Sequence, residues 1–310
     1  MDKKKIVAIS IGDLNGIGLE LAIINHKKIS KFLKPIYFID NEMLIQGAEL
    51  LQLDIPKDFQ TVEKFSTKFQ IQPAETSSES GKYSFLSFKE SVNFVKGGFA
   101  DFVMTLPINK EAWNLAGIEF KGHTDYLRYK FQQDAIMLMG VPKMYVALFT
   151  EHIPYSEVPK KITVENITTF MRSLLKSIPH LERVAVLGLN PHSGDNGVLG
   201  NEESIIIESV NLINRESGKD IFSLPLVPDI AFTKHIREQY NFYLAMYHDQ
   251  GLIPLKTLYF DEVVNISLNL PIKRISVGHG TAFNIAYKKD RTLNSQSYLN
   301  ALHFYFSETI

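Results

Sequence analysis

Cysteine is absent from all 310 residues. Disulfides, thiolate metal sites and a cysteine nucleophile are therefore excluded, and any transition-metal site must use histidine and carboxylate. A charge bias is missing as well. With 33 Lys and Arg against 34 Asp and Glu, the formal net charge is -1. That balance gives no electrostatic reason to expect a nucleic acid or a membrane as partner. No RRM, zinc-finger or helix-turn-helix pattern is present either. No apolar run is long enough to span a bilayer. The basic start, Met1 to Lys5, leads into a short apolar run that ends at Gly12-Asp13. This pattern is that of a first strand, not a signal peptide. A chain without cysteine suits a reducing compartment, so a cytoplasmic location is expected.

What is present is ordinary for a soluble α/β protein, at 45% hydrophobic and 22% charged residues. The length allows two lobes. Short β-branched runs alternate with helical spacing, which argues for a largely parallel sheet. Strands are expected at 6–11, 35–39, 102–106, 135–139, 144–149, 183–187, 242–246 and 263–268. Helices are expected at 41–51, 85–95, 163–178, 202–213 and near 295–307, with a polar, Ser-rich loop at 72–82. The first strand breaks into Gly12-Asp13-Leu14-Asn15-Gly16-Ile17-Gly18. This is neither GxGxxG nor a P-loop, and close packing explains its glycines as well as ligand contact does.

The stretch Met246-Tyr247-His248-Asp249-Gln250-Gly251 sets three polar side chains at the end of a buried strand, ahead of a glycine expected to make a tight turn. His152 and His192 also follow apolar strands at their carboxyl ends. Parallel strands put such ends on one edge, so three loops can converge. Three imidazoles with an open position make a catalytic type of divalent-metal site. Each histidine alone is more often an ordinary turn or core residue, and only the coincidence of three favours a metal. Lys110, His123, Thr124, Lys256 and Arg274 could clamp an anionic substrate, although a lone lysine is usually just solvated. Asn190 and Asn265 lie where an amide can orient a ligand, or simply make an Asx turn.

Several blocks together resemble the 4-hydroxythreonine-4-phosphate dehydrogenase family of vitamin B6 biosynthesis. They are GDLNGIGLE (12–20), LPINKEAW (106–113), GHTDYL (122–127), GLNPHSGDNGVLGNEE (188–203), MYHDQGLIPLK (246–256) and HGTAFNIA (279–286). The resemblance implies an isocitrate/isopropylmalate-dehydrogenase-like fold with two α/β/α lobes around a central cleft. Residues 1–125 and 272–310 would form one lobe, and 126–271 the other. It also implies a homodimer that shares its active sites across the interface. Family metal ligands fall on His152, His192 and His248, and substrate-binding residues on His123, Thr124, Lys256, Asn265 and Arg274. The loop His279, Gly280, Thr281 and Ala282 would meet the cofactor. That cofactor is NAD by resemblance, with NADP as the alternative, and the metal is Zn, Mg, Mn or Co. Asp249 and Lys256 are both candidates for proton transfer.

The implied reaction is oxidation of 4-phosphooxy-L-threonine at C3 followed by decarboxylation to 3-amino-2-oxopropyl phosphate, in pyridoxal phosphate biosynthesis. One alternative is oxidation of a related acid such as threonate or erythronate 4-phosphate. Others are a metal-dependent hydrolase or lyase and a non-catalytic binding protein. The chain departs from the family pattern at Leu14-Asn15, where Pro-Ala is usual, and at Leu19, where Pro is usual. It departs again at Gly278, where Asp is common, and at Tyr287-Lys288-Lys289, where a Gly is usual.

Overall fold

The computed structural model describes residues 4–63, 65, 67–289 and 293–306. Its strands are β1 (Ile6–Ser10), β2 (Lys34–Phe38), β3 (Gln60–Thr61), β4 (Phe102–Thr105) and β5 (Ile136–Val141). They continue with β6 (Met144–Leu148), β7 (Ala185–Val186), β8 (Phe242–Ala245), β9 (Val264–Leu268) and β10 (Arg274–Val277). The helices are α1 (Gly18–Ile29), α2 (Asn41–Leu51), α3 (Ser78–Lys96), α4 (Lys110–Leu115), α5 (His123–Phe131) and α6 (Val158–Lys161). After them come α7 (Val164–Ser177), α8 (Glu202–Ser217), α9 (Lys234–Arg237), α10 (His248–Tyr259) and α11 (Gln296–Phe306). Among the described residues no helix is long and apolar enough to cross a membrane. The chain divides into two compact units, one formed up to Ala135 and again from Leu270, the other from Ile136 to Asn269.

In the first unit the strand order is β3-β2-β1-β4-β10, and every described pair is parallel. Strands covered on both faces should be apolar throughout, and Val7 to Ser10 and Phe102 to Thr105 are all buried. Helix α3 lies close to this sheet because its inner face is a run of small side chains, Ser80, Ser84, Ser87 and Ser91, all buried. Ser87 Oγ accepts from the Ile11 N–H (2.9 Å) and donates to the Phe38 carbonyl (2.7 Å). One hydroxyl thus satisfies backbone groups at two strand ends that no ladder reaches. The Ser-rich stretch expected as a loop becomes helix from Ser78, because Ser77 caps it by accepting from the Ser80 N–H (3.2 Å).

The second unit has the order β9-β5-β6-β8-β7 and is mixed. Strand β5 runs antiparallel to both β6 and β9, while β6, β8 and β7 are parallel. The reversal follows from chain length: Val141 pairs with Met144, leaving only Pro142-Lys143 to connect the strands, too few residues for a crossover. Gly251 does not make the expected tight turn. It lies in the first turn of α10, whose Leu252 and Leu255 are buried. A Cβ on Gly251 would stand 2.4 Å from Val146 Cγ1, so the glycine lets the helix press onto β6.

Candidate active site

In the first unit, Arg274 opens β10 and is only 2% exposed. Its Nε and Nη2 donate to Thr105 Oγ1 at 3.1 and 2.8 Å. Nη2 also meets His123 Nδ1 at 3.2 Å. A guanidinium has only donors, so Nδ1 must accept and the ring proton sits on Nε2. That Nε2 is buried and has no hydrogen-bond partner. Burial holds His123 well below the usual histidine range, and the positive charges of Arg274 and Lys110 push it the same way. His123 is thus a neutral, pre-aimed N–H donor beside a buried cation. Phe88 lies 4.5 Å from its ring centroid and Trp113 5.7 Å, both edge-on, which fixes the plane.

His123 was expected in a turn before a helix, and it is in fact the first residue of α5. Its N-cap, Gly122, has no side chain to accept from the first-turn N–H groups, so this end of α5 can meet an anion beside Thr124. Lys110 begins α4.

The first glycine-rich loop is a packing device. A Cβ on Gly12 would stand 2.3 Å from the Pro107 carbonyl oxygen, and one on Gly18 2.6 Å from that of Ile11. The loop supports the segment at 279–282, where the Thr281 carbonyl accepts from the Ile17 N–H (3.1 Å). Gly280 is exposed, with open space beside its Cα. The departures from the family pattern fit together here. Tyr287 takes a positive φ of 58°, the conformation a glycine tolerates best, and its hydroxyl donates to the Leu14 carbonyl (2.6 Å). Asn15 accepts from the Gln72 N–H (2.9 Å) and donates to the Glu75 carbonyl (2.8 Å). Asp13 between them is fully buried. Burial pushes its carboxyl up to about 6, against hydrogen bonds from the Asn15 N–H and Ser80 Oγ.

In the second unit the histidine loops leave the carboxyl ends of the parallel trio β6, β8 and β7. The rings of His152 and His248 lie 5.4 Å apart, centroid to centroid. His248 is the first residue of α10, and its Nδ1 meets Asp249 Oδ1 at 2.7 Å. A carboxylate only accepts, so Nδ1 carries a proton, and in the neutral ring the lone pair is on Nε2. His192 is exposed, in a run from His192 to Asn196 whose φ values are all positive, 43° to 78°. Left-handed backbone costs an L-residue roughly 1–2 kcal/mol, so four non-glycine residues in that state need strong support.

Among the described residues, no group of three or more His, Cys, Asp or Glu side chains is gathered tightly enough to hold a metal ion. The donor chemistry fits a metal as far as it goes. His152 and His248 are adjacent imidazoles, one with its tautomer set by a carboxylate, and the His192 loop leaves the same sheet edge. Asn265 stands second in β9, opposite Met139, and the half-buried Lys256 lies two turns along α10 from His248.

Sequence reading missed Thr105, Thr150 and Glu203, and it noticed Gln250 without giving it a role. Thr105 and Thr150 looked like ordinary residues at strand ends, and Glu203 like the polar end of a motif block.

The family profile for pyridoxal phosphate biosynthetic protein PdxA matches residues 31–305. The 4-hydroxythreonine-4-phosphate dehydrogenase of Sulfurimonas denitrificans is 52% identical over 96% of this chain and 95% of its own. That of Campylobacter fetus is 44% identical over 96% of each. Among solved structures, the 4-hydroxythreonine-4-phosphate dehydrogenase of Klebsiella pneumoniae superposes with a TM-score of 0.81 at 28% identity, covering 99% of this chain and 98% of that one. A β-decarboxylating dehydrogenase of Thermococcus kodakarensis shares the fold at a TM-score of 0.53 and 12% identity, over 98% of this chain and 84% of that one. With the profile spanning most of its length and relatives above 40% identity end to end, the chain belongs to the PdxA family.

Proposed function

We propose that this chain oxidises 4-phosphooxy-L-threonine at C3 with NAD and releases CO₂ to give 3-amino-2-oxopropyl phosphate, a step of vitamin B6 biosynthesis. The observation that carries this reading is the Thr105–Arg274–His123 arrangement. A buried cation and a neutral histidine with an unpartnered N–H suit an anionic, hydroxyl-bearing substrate. Family membership supports the reaction class.

The hydride from C3 passes to the nicotinamide ring and the hydroxyl proton leaves. The resulting β-keto acid loses CO₂, and the carbon left behind takes up a proton. Arg274, His123 and Thr124, with the open end of α5, would bind the acidic groups and convert binding energy into alignment. His279, Gly280, Thr281 and Ala282 would hold the cofactor. His152, His192 and His248 would hold a divalent metal. When bound, that metal supplies a Lewis acid for the oxygen that gains negative charge. Asp249 orients His248, which leaves Lys256 as the better placed of the two proton-transfer candidates. Lys256 and Asn265 would contact substrate. The working form would be a cytoplasmic homodimer sharing its active sites, so that a partner can complete a donor set gathered only in part in one chain.

The test follows absorbance of reduced nicotinamide with this substrate and NAD, with metal, with chelator, and with metal restored. A chelator-sensitive, metal-restored signal is expected, and His192→Ala should abolish turnover and lower metal content. A signal only with a related phosphorylated hydroxy acid would keep the site and change the substrate. No signal with any such acid would end the dehydrogenase reading.

A further inference from the structure

The three histidine loops of the second unit are tied together just ahead of their histidines, at Thr150, Met246 and Gly188. Thr150 donates through its hydroxyl to the Met246 carbonyl (2.6 Å). The Met246 N–H donates to Gln250 Oε1 (2.8 Å), and Gln250 Nε2 donates to the Gly188 carbonyl (2.6 Å). Beyond Gly188 stands Glu203. Its Oε1 accepts from the N–H groups of Leu189 (2.8 Å) and Asn190 (2.7 Å), and its Oε2 from Asn190 Nδ2 (2.9 Å). The chain of contacts thus runs from the His152 loop, through the His248 loop, to the residues just ahead of His192.

Glu203 is the informative member. It is 5% exposed, and a buried carboxylate is costly unless its oxygens are satisfied. Among the described residues, every hydrogen bond it accepts from outside its own helix comes from Leu189 and Asn190, and its place in the first turn of α8 favours negative charge. The loop wraps it, since a Cβ on Gly194 would stand 2.6 Å from Glu203 Oε2. A left-handed run such as 192–196 persists only when its surroundings over-determine it, and the carboxylate is the anchor at its root.

We propose that Glu203 is a positioning residue for His192, holding the loop so that the imidazole is presented for metal binding, and that Gln250 passes the same constraint to the His248 loop. The proposal rests on the reading of His192 as a metal ligand. It requires no direct contact between Glu203 and the metal.

The test titrates the metal-free full chain with Co²⁺, reading visible absorption and equilibrium dialysis beside thermal stability. For E203A, Co²⁺ affinity should fall about 10- to 100-fold, as for other residues that orient metal ligands. E203Q should stay within about threefold of the parent, because its amide oxygen can still accept both backbone N–H groups. Q250A, expected to weaken binding about 10-fold, carries the test if E203A does not fold. N214A is the control. Asn214 ties Ile221 and Phe222 in the same unit, so it should lower stability and leave Co²⁺ affinity unchanged. Parental affinity in both E203A and Q250A would overturn the proposal. So would equal loss in E203A and E203Q, which points to charge, or equal loss in N214A, which points to general loosening. If H192A binds Co²⁺ like the parent, the metal reading itself fails, and the proposal falls with it by a separate route.

Discussion

His123 and His248 each begin a helix, and each has its Nδ1 engaged, yet the partners are opposite. In the first unit Arg274 donates to His123 Nδ1, so Nε2 carries a proton and can only give a hydrogen bond. In the second unit Asp249 accepts from His248 Nδ1, so in the neutral ring the lone pair is on Nε2, where it can bind a cation. On the proposed function, the same side chain would be a donor toward substrate in one place and a metal ligand in the other. The neighbour at the far nitrogen decides which. Asp13 adds a third case. It is buried with only neutral donors around it, and there desolvation wins and the carboxyl moves up to about 6.

The largest effect should come from removing the cation at His123. Arg274→Met is expected to lower kcat/KM by roughly a thousandfold, the scale of losing charge-assisted bonds in a buried site. It should also raise the His123 pKa, because a nearby positive charge no longer opposes protonation, although burial still holds it down. Steady-state kinetics and NMR titration of the ring would check both. An unchanged titration would break the comparison on this side.

Next is Asp13. Below about pH 4 the folded and unfolded chains both hold its proton. Between there and about pH 6 only the folded chain keeps it. Wild-type stability should therefore fall as pH rises through that window, by about 3 kcal/mol on this account. Asp13→Asn should remove that fall, seen as a flatter difference in urea unfolding between acidic and neutral pH. A parallel pair of pH curves would mean the carboxyl is not held neutral.

Asp249→Asn should weaken metal binding about 10-fold, since an amide orients the imidazole less strongly than a carboxylate. His123 variants should leave metal affinity alone, and a loss there would erase the distinction between the two histidines. The smallest effect is expected for Thr105→Val, which removes the acceptor under Arg274. A KM increase of about threefold with little change in kcat corresponds to roughly one hydrogen bond.

The parts of this arrangement that were legible in the sequence are those encoded locally. A histidine after an apolar strand announces itself, which marked His152, and the motif blocks carried His123, His192 and His248 into view, whereas Arg274 lies outside every block. What was not legible depends on partners far along the chain. Thr105 and Arg274 are 169 positions apart, and nothing about either residue alone says that one will cradle the other. The proton position on each histidine is likewise a property of its neighbour. Gly251 read as turn punctuation, but burial of Leu252 and Leu255 against the second unit's core carried the chain on as helix. The reversal of β5 was encoded in its two-residue link, and alternation of strands with helices hid it. Gly, Asp, Asn and His all tolerate positive φ, so the composition of His192 to Gly197 allowed it, but it did not say that six such residues would follow one another.

Asn15 has a consequence for how the molecule breathes. The segment 72–75 is polar and mostly exposed, and taken alone its amides should exchange with solvent as fast as those of any surface loop. Yet the Gln72 N–H is held by the Asn15 side chain and the Ala74 N–H by the Asn15 carbonyl, both at or below 2.9 Å. Those two amides can open only when the loop after β1 opens. Their hydrogen-exchange lifetimes should therefore follow the core of the first unit, not the surface they lie on.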